Sequence, residues 1–69
     1  MNTKNLKIIG ERLKEARDKQ KLTQADVANG TGIAVNYYAM VERGEANLTY
    51  DKISKLYKFL KLKNTDIPL

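Results

Sequence analysis

The sequence contains no cysteine and no histidine. Disulfides, thiolate nucleophiles, Cys/His zinc sites and imidazole general bases are therefore excluded. No pair of carboxylates and no nucleophile with a neighbouring base stands out among the other residues, so we expect no enzymatic activity, no cofactor and no metal site. The 69 residues form at most one domain, close to the lower size limit for a hydrophobic core without disulfides or metal.

Long apolar runs are also absent. The N-terminal segment has only the pair Ile8 and Ile9 before charged residues resume. This is far shorter than the apolar region of a signal peptide or a membrane span. We therefore expect a soluble, cytoplasmic protein.

The net charge is +5, and it is unevenly distributed along the chain. Residues 1–21 hold seven Lys/Arg against three acids, residues 22–49 hold one against three, and residues 50–69 hold five against two. The positive balance favours a polyanionic partner. Because the central third is net negative, the flanking thirds must supply most of any attraction to phosphate. The alternative is that the lysines only lie on solvent-exposed faces of the helices and bind no partner.

Apolar residues recur at helical spacing in four segments. The predicted helices cover about 6–20, 24 to a glycine break at 30–32, about 34–42, and a segment that follows Thr49 and ends near Lys61. The tail, 63–69, has room for at most one further turn, docked through Ile67. The sequence thus predicts an all-α fold, a compact bundle of four to five helices in one domain over residues 1–69.

Capping residues mark two of the predicted helix starts. Thr23 is suited to an N-cap, with Asp26 completing a capping-box-like pair, and Thr49 caps the fourth helix. The segment 23–44 therefore contains two short helices separated by a glycine-containing break, which is the pattern of a helix-turn-helix.

Three motifs resemble the phage repressor and Cro family of helix-turn-helix domains, also called the xenobiotic-response-element family, which has the lambda-repressor-like fold. They are Ile9-Gly10-Glu11-Arg12-Leu13, Leu22-Thr23-Gln24 and Glu42-Arg43-Gly44, with Ala28 and Gly32 between them. A weaker resemblance links Asn36-Tyr37 and Asn47-Leu48-Thr49 to the controller proteins of restriction-modification systems. The resemblance implies double-stranded DNA as the partner.

The chain departs from the family pattern at three positions. Lys21 replaces the glycine common before Leu22, so a lysine is expected in a left-handed backbone conformation. Tyr38 replaces a buried aliphatic residue, and its hydroxyl must reach a partner or the surface. Ala34 replaces the polar N-cap of the third helix, so other contacts must position that helix.

By resemblance, the DNA-contacting positions correspond to residues of the second and third helices and the loop after them: Gln24, Ala34, Val35, Asn36, Tyr37, Met40, Arg43 and Asn47. Asn36 can bond adenine N6 and N7 together, which is worth about 1–3 kcal/mol of base discrimination. Ala34 and Val35 can make only apolar contacts, most usefully with thymine methyl groups, and Tyr37 can bond a phosphate or a base edge. The expected operator is therefore rich in A·T.

Three of these predicted DNA contacts have an alternative role. Asn36 could be an exposed residue without a partner, Tyr37 could cover the second helix or form a protein interface, and Gln24 could bond only its own backbone. The resemblance favours a phosphate contact for Gln24, supported by the helix dipole. It also implies that Arg17 and Glu42 form a partly buried salt bridge. Arg43, next to this pair, is freer and is expected to face phosphate. The backbone around Asn47 and Leu48 is a further expected phosphate clamp, where the Asn47 side chain can bond phosphate or cap locally.

A single module contacts too few base pairs for genomic specificity, so we expect a homodimer. The candidate interface is the end of the fourth helix with the tail, where Phe59, Leu62, Ile67 and Leu69 are apolar; intramolecular packing is the alternative. The expected function is a transcriptional regulator, and repression of a promoter, including its own, is the simplest mode. The competing function is a protein-interaction module, an antitoxin or anti-regulator that uses Val35, Tyr37 and Met40.

Overall fold

The computed structural model describes residues 3–63, and its helices are α1 (Thr3–Lys19), α2 (Gln24–Thr31), α3 (Val35–Glu42) and α4 (Tyr50–Phe59). The all-α fold predicted from the sequence is confirmed. The predicted docking of the tail through Ile67 lies outside the described residues.

The first helix supplies one wall of the core. Ile9, Leu13 and Ala16 are buried at spacings of four and three residues, as the amphipathic pattern predicts. Gly10 lies against the end of α3, where a Cβ would come within 2.5 Å of the carbonyl oxygens of Val41 and Glu42. A glycine is therefore required for this close approach of the two backbones, which offsets its cost inside a helix.

Left-handed residues end α1 and α4 in the same way. After α1, Lys21 has φ 58°, and the N–H of Leu22 donates to the carbonyl of Arg17 at 3.1 Å. After α4, Lys61 has φ 63°, and the N–H of Leu62 donates to the carbonyl of Tyr57 at 2.7 Å. Both are Schellman-type ends in which lysine occupies the position that glycine usually takes. The first was predicted; the second ends α4 at Phe59, so the predicted end near Lys61 is wrong by two residues.

The second helix begins with the predicted capping box. The hydroxyl of Thr23 accepts from the N–H of Asp26 at 3.0 Å, and the Asp26 carboxylate accepts from the N–H of Thr23 at 2.8 Å. Gly32, with φ 73°, reverses the chain after α2. This turn leads directly into α3, so the capping box and Gly32 together set the geometry of the helix-turn-helix.

The third helix has no side-chain cap. Ala34 takes the N-cap position with φ −63° and ψ 138°. Its position is set by packing instead, because Tyr38 and Val41 are fully buried and Gly10 fits against its C-terminal end. As expected, α3 lacks a side-chain N-cap, and its contacts with α1 position it instead.

The fourth helix closes the core from the other side. Thr49 caps it by accepting from the N–H of Lys52 at 3.3 Å, and Ile53, Leu56, Tyr57 and Leu60 are buried. The amide of Gln20 donates to the carbonyl of Leu60 at 2.7 Å and joins the ends of α1 and α4.

Candidate nucleic-acid interface

The start of α3 presents an exposed surface made of Ala34, Val35, Asn36 and Met40. Val35 retains 44% of its accessible area and Met40 retains 37%. We call these residues the α3 surface. It carries no formal charge, because α3 contains no Lys or Arg and its one acid, Glu42, lies at the other end. A neutral surface of this kind can distinguish bases through an amide and methyl groups, but it supplies no charge attraction to phosphate.

Tyr37 lies between the α3 surface and the loop that follows α3. Its side chain is half-buried against the core, and its hydroxyl donates a hydrogen bond to the backbone carbonyl of Asn47. With the proton committed to this bond, the oxygen offers only lone pairs. A phosphate has no hydrogen to donate to these lone pairs, whereas adenine and cytosine can donate to them from their amino groups. A phosphate contact by the Tyr37 hydroxyl therefore requires the bond to Asn47 to break.

Lys52 completes the surroundings of Tyr37. Its ammonium nitrogen lies 4.6 Å from the centroid of the Tyr37 ring, within the range of a cation–π interaction. The sequence alone does not predict a role for Lys52 at this site, because its position next to Tyr37 depends on the tertiary structure. Nor does the sequence predict a role for Tyr50, which begins α4 and retains 53% of its accessible area.

Gln24 belongs to a polar network at the other end of the helix-turn-helix. Its amide donates to Oε1 of Glu42 at 3.0 Å, so the side chain is neither bonded only to its own backbone nor free in solvent. Arg17 donates to the same carboxylate from Nε at 2.6 Å and from Nη2 at 3.2 Å. The start of α2 is thereby tied through Glu42 to α1.

The Glu42 carboxylate is ionised despite its burial. Burial opposes its ionisation, but the hydrogen bonds from Arg17 and Gln24 outweigh this and hold its pKa below the ordinary value. The network therefore presents a fixed anion that orients the amide of Gln24. Contact of that amide with a phosphate oxygen requires it to leave Glu42, whereas the peptide N–H of Gln24, in the first turn of α2, stays available to an anion.

Tyr38 lies beside this network but does not complete it. The side chain is fully buried, and its hydroxyl has no hydrogen-bond partner of normal geometry. Burial, and then the proximity of the Glu42 carboxylate, raises the pKa of Tyr38. The hydroxyl does not reach the surface, and the Glu42 carboxylate beside it is the partner it approaches, without a well-aligned hydrogen bond between them.

The loop after α3 contains two further predicted contacts. Arg43 is exposed and donates from Nε to Glu45 at 2.9 Å, so its charge is partly neutralised in the free protein. Asn47 is exposed at its side chain, while its carbonyl accepts from Tyr37. Both residues lie close in sequence to the start of α4, at the loop where a phosphate clamp is expected.

Part of the predicted dimer surface packs against the core of its own chain. Phe59 and Leu62 are partly buried against the core, and the Phe59 ring lies directly over Gly30. The other two residues of that prediction, Ile67 and Leu69, lie outside the described residues.

Comparison with known proteins decides what kind of domain this is. Residues 13–66 match the model of a helix-turn-helix family, the Cro/C1 type, over more than half of the chain. The chain belongs to the Cro/C1-type helix-turn-helix family. This confirms the predicted resemblance, and the match includes both Leu22-Thr23-Gln24 and Glu42-Arg43-Gly44. No curated protein and no solved structure matches the chain significantly.

Membership of the Cro/C1-type family makes the chain a DNA-binding helix-turn-helix regulator, and families of this kind are not typically enzymatic. In the helix-turn-helix, α2 is the first helix and α3 is the recognition helix. Within the described residues, no helix is long and apolar enough to cross a membrane.

Proposed function

We propose that residues 1–69 act as a single sequence-specific DNA-binding domain that represses transcription, including that of its own promoter, by occupying an A·T-rich operator as a dimer. The observation that carries the proposal is the α3 surface, an exposed amide at Asn36 flanked by Ala34, Val35 and Met40. An amide can pair with adenine, and small apolar side chains can contact thymine methyl groups. A regulator of this kind acts where the chromosome is, which agrees with the expected cytoplasmic location.

Dimerisation is proposed because one recognition helix reads too short a site. Two-fold symmetric dimers of helix-turn-helix domains address half-sites about one helical turn apart. The end of α4, with Phe59 and Leu62, remains the candidate interface together with Ile67 and Leu69 of the tail. Sedimentation of the protein with and without operator DNA would report the stoichiometry. A protein that stays monomeric in both states would remove the dimer from the proposal.

The DNA-binding proposal is tested by the salt dependence of affinity for duplex DNA. Binding should weaken linearly on a log–log plot, with a slope of about −0.9 for each neutralised phosphate. A slope equivalent to several phosphates supports the proposal. Absence of binding at low salt, with the protein folded, would contradict it.

The second candidate function is a protein-interaction module, an antitoxin or anti-regulator. The exposure of Val35 and Met40 favours it, because apolar side chains in contact with solvent are typical of protein interfaces. The two functions make opposite predictions for Val35→Ser. The substitution should change base preference if α3 reads DNA, and should leave DNA affinity and preference unchanged if the surface binds a protein.

A further inference from the structure

We infer that Lys52 contacts a DNA phosphate and that the ring of Tyr37 holds it in position beside the recognition helix. This inference rests on the proposed DNA-binding function and adds to it a residue on α4. The ammonium of Lys52 lies 4.6 Å from the centroid of the Tyr37 ring. Tyr37 belongs to the recognition helix and its hydroxyl bonds the Asn47 carbonyl, so the cation stands beside that helix, where the loop enters α4.

The charge distribution shows why a cation is needed at this place. The recognition helix has no Lys or Arg, and residues 22–49 contain only Arg43 against three acids. Arg43 itself is bonded to Glu45. Among the described residues, no carboxylate forms a salt bridge with Lys52, so its charge is available to a partner. Lys52 therefore places a positive charge next to Tyr37, beside a recognition helix that has no Lys or Arg of its own.

The backbone around Lys52 is fixed from two sides. Its N–H donates to the Thr49 hydroxyl, which places it in the first turn of α4. The loop that enters α4 is joined to the recognition helix by the hydrogen bond from Tyr37 to the Asn47 carbonyl. Tyr37 thus acts as a positioning residue in two ways, through its hydroxyl on the loop and through its ring under the ammonium. A long lysine side chain held over a ring loses less freedom when it meets a phosphate.

The test compares Lys52→Gln with Lys58→Gln. Lys58 is exposed on the same helix but lines a groove with Gly30, Thr31 and Phe59, away from Tyr37. Both substitutions remove one positive charge, so a general effect of net charge is the same in each. Binding of a duplex with an operator selected from a random pool is measured over a range of salt concentrations. We expect Lys52→Gln to reduce the salt slope by about 0.9 relative to Lys58→Gln, with base preference unchanged.

A second measurement tests the positioning role without DNA. In the free protein, the ring current of Tyr37 should shift the side-chain methylene protons of Lys52 upfield in NMR spectra. Tyr37→Leu should abolish that shift, and Tyr37→Phe, which keeps the ring, should retain it. An unshifted Lys52 in the wild-type protein would overturn the positioning role.

The outcomes separate this inference from the proposed function. If the wild-type protein binds DNA with a slope of several phosphates but Lys52→Gln and Lys58→Gln have equal slopes, Lys52 is not a phosphate contact and the proposed function stands. If the wild-type protein fails to bind DNA at low salt, both proposals are overturned.

Discussion

Arg17 and Glu42 form a bidentate ion pair that joins α1 to the end of the recognition helix. The side chains retain only 13% and 4% of their accessible area, and a third Arg17 nitrogen donates to the carbonyl of Leu22 at 2.8 Å. One residue therefore connects the end of α3 with the turn before α2. Gln24 is the third donor to the Glu42 carboxylate, after two of the Arg17 nitrogens. The relative placement of the two helices of the helix-turn-helix thus depends on an interaction that itself contacts no DNA in our proposal.

Removal of Arg17 should destabilise the fold strongly. Arg17→Ala leaves a largely buried carboxylate side chain without its cation, which should cost up to about 3–5 kcal/mol in the free energy of unfolding. The matched control is Arg43→Ala, because Arg43 and Glu45 form an exposed pair that is worth at most about 1 kcal/mol. Urea denaturation gives both values. Similar losses for the two variants would contradict the assigned role of the buried pair.

Acid should destabilise the protein partly through Glu42. Its pKa is lower in the folded chain than its ordinary value of 4.5, so the folded state favours the ionised form. The stabilisation is therefore present above about pH 4.5 and is lost as the pH falls through the folded pKa. Glu42→Gln should be less stable at neutral pH and should lose less stability on acidification. An acid dependence equal to that of the wild type would remove Glu42 as a cause.

Tyr38→Phe should leave the fold as stable as before or stabilise it by up to about 1 kcal/mol, because the substitution removes an unsatisfied buried hydroxyl at nearly constant volume. The raised pKa of Tyr38 in the wild-type protein leads to a second expectation. The folded state keeps the phenol protonated, so stability is lost as the pH rises above the ordinary value of 10.0. The variant should lose less stability in alkali. Clear destabilisation of Tyr38→Phe at neutral pH would instead indicate a hydrogen bond to Glu42.

Lys21→Gly should stabilise the protein by up to about 1 kcal/mol, because glycine adopts the left-handed conformation without a steric penalty. The observed φ of 58° at Lys21 supports this expectation. Lys14→Gly is the control, since Lys14 lies inside α1 and glycine there costs about 1 kcal/mol. Thermal or urea unfolding should shift in opposite directions for the two variants. A clear loss of stability in Lys21→Gly would argue against the left-handed assignment.

Local features of the fold could be predicted from the sequence because they depend on residues close together in the chain. The capping box at Thr23 and Asp26 is one example. The left-handed backbone at Lys21 was expected instead from the resemblance, because the family commonly has glycine at this position. The end of α4 could not be predicted, because Lys61 has no glycine-like signal in the sequence and nevertheless adopts a φ of 63°.

The exposed residues of the α3 surface could be predicted from the sequence, but most of the contacts around them could not. The α3 surface follows from helical spacing and family motifs. The bond from Gln24 to Glu42 spans 18 positions, and that from Tyr37 to Asn47 depends on the path of a loop. Lys52 reaches Tyr37 only because of the path of the loop that leads from α3 into α4. Such contacts arise from tertiary structure, which neither periodicity nor charge counts describe.

Asn36 is the residue on which the proposed base recognition depends most. Asn36→Ala should relax the preference at one operator position by about 1–3 kcal/mol, because an adenine loses its bidentate partner. Affinity for random duplex DNA should change little, since phosphate contacts dominate it. Competition between operators that differ at single base pairs measures both quantities. An unchanged preference would remove Asn36 from the base-reading residues.

The central claim, sequence-specific recognition of double-stranded DNA, is tested most directly by in vitro selection of bound duplexes from a random pool. We expect enrichment of two symmetric half-sites, rich in A·T at the contacted positions and about one helical turn apart. A selected pool that is indistinguishable from the starting pool, obtained with folded protein at low salt, would contradict it.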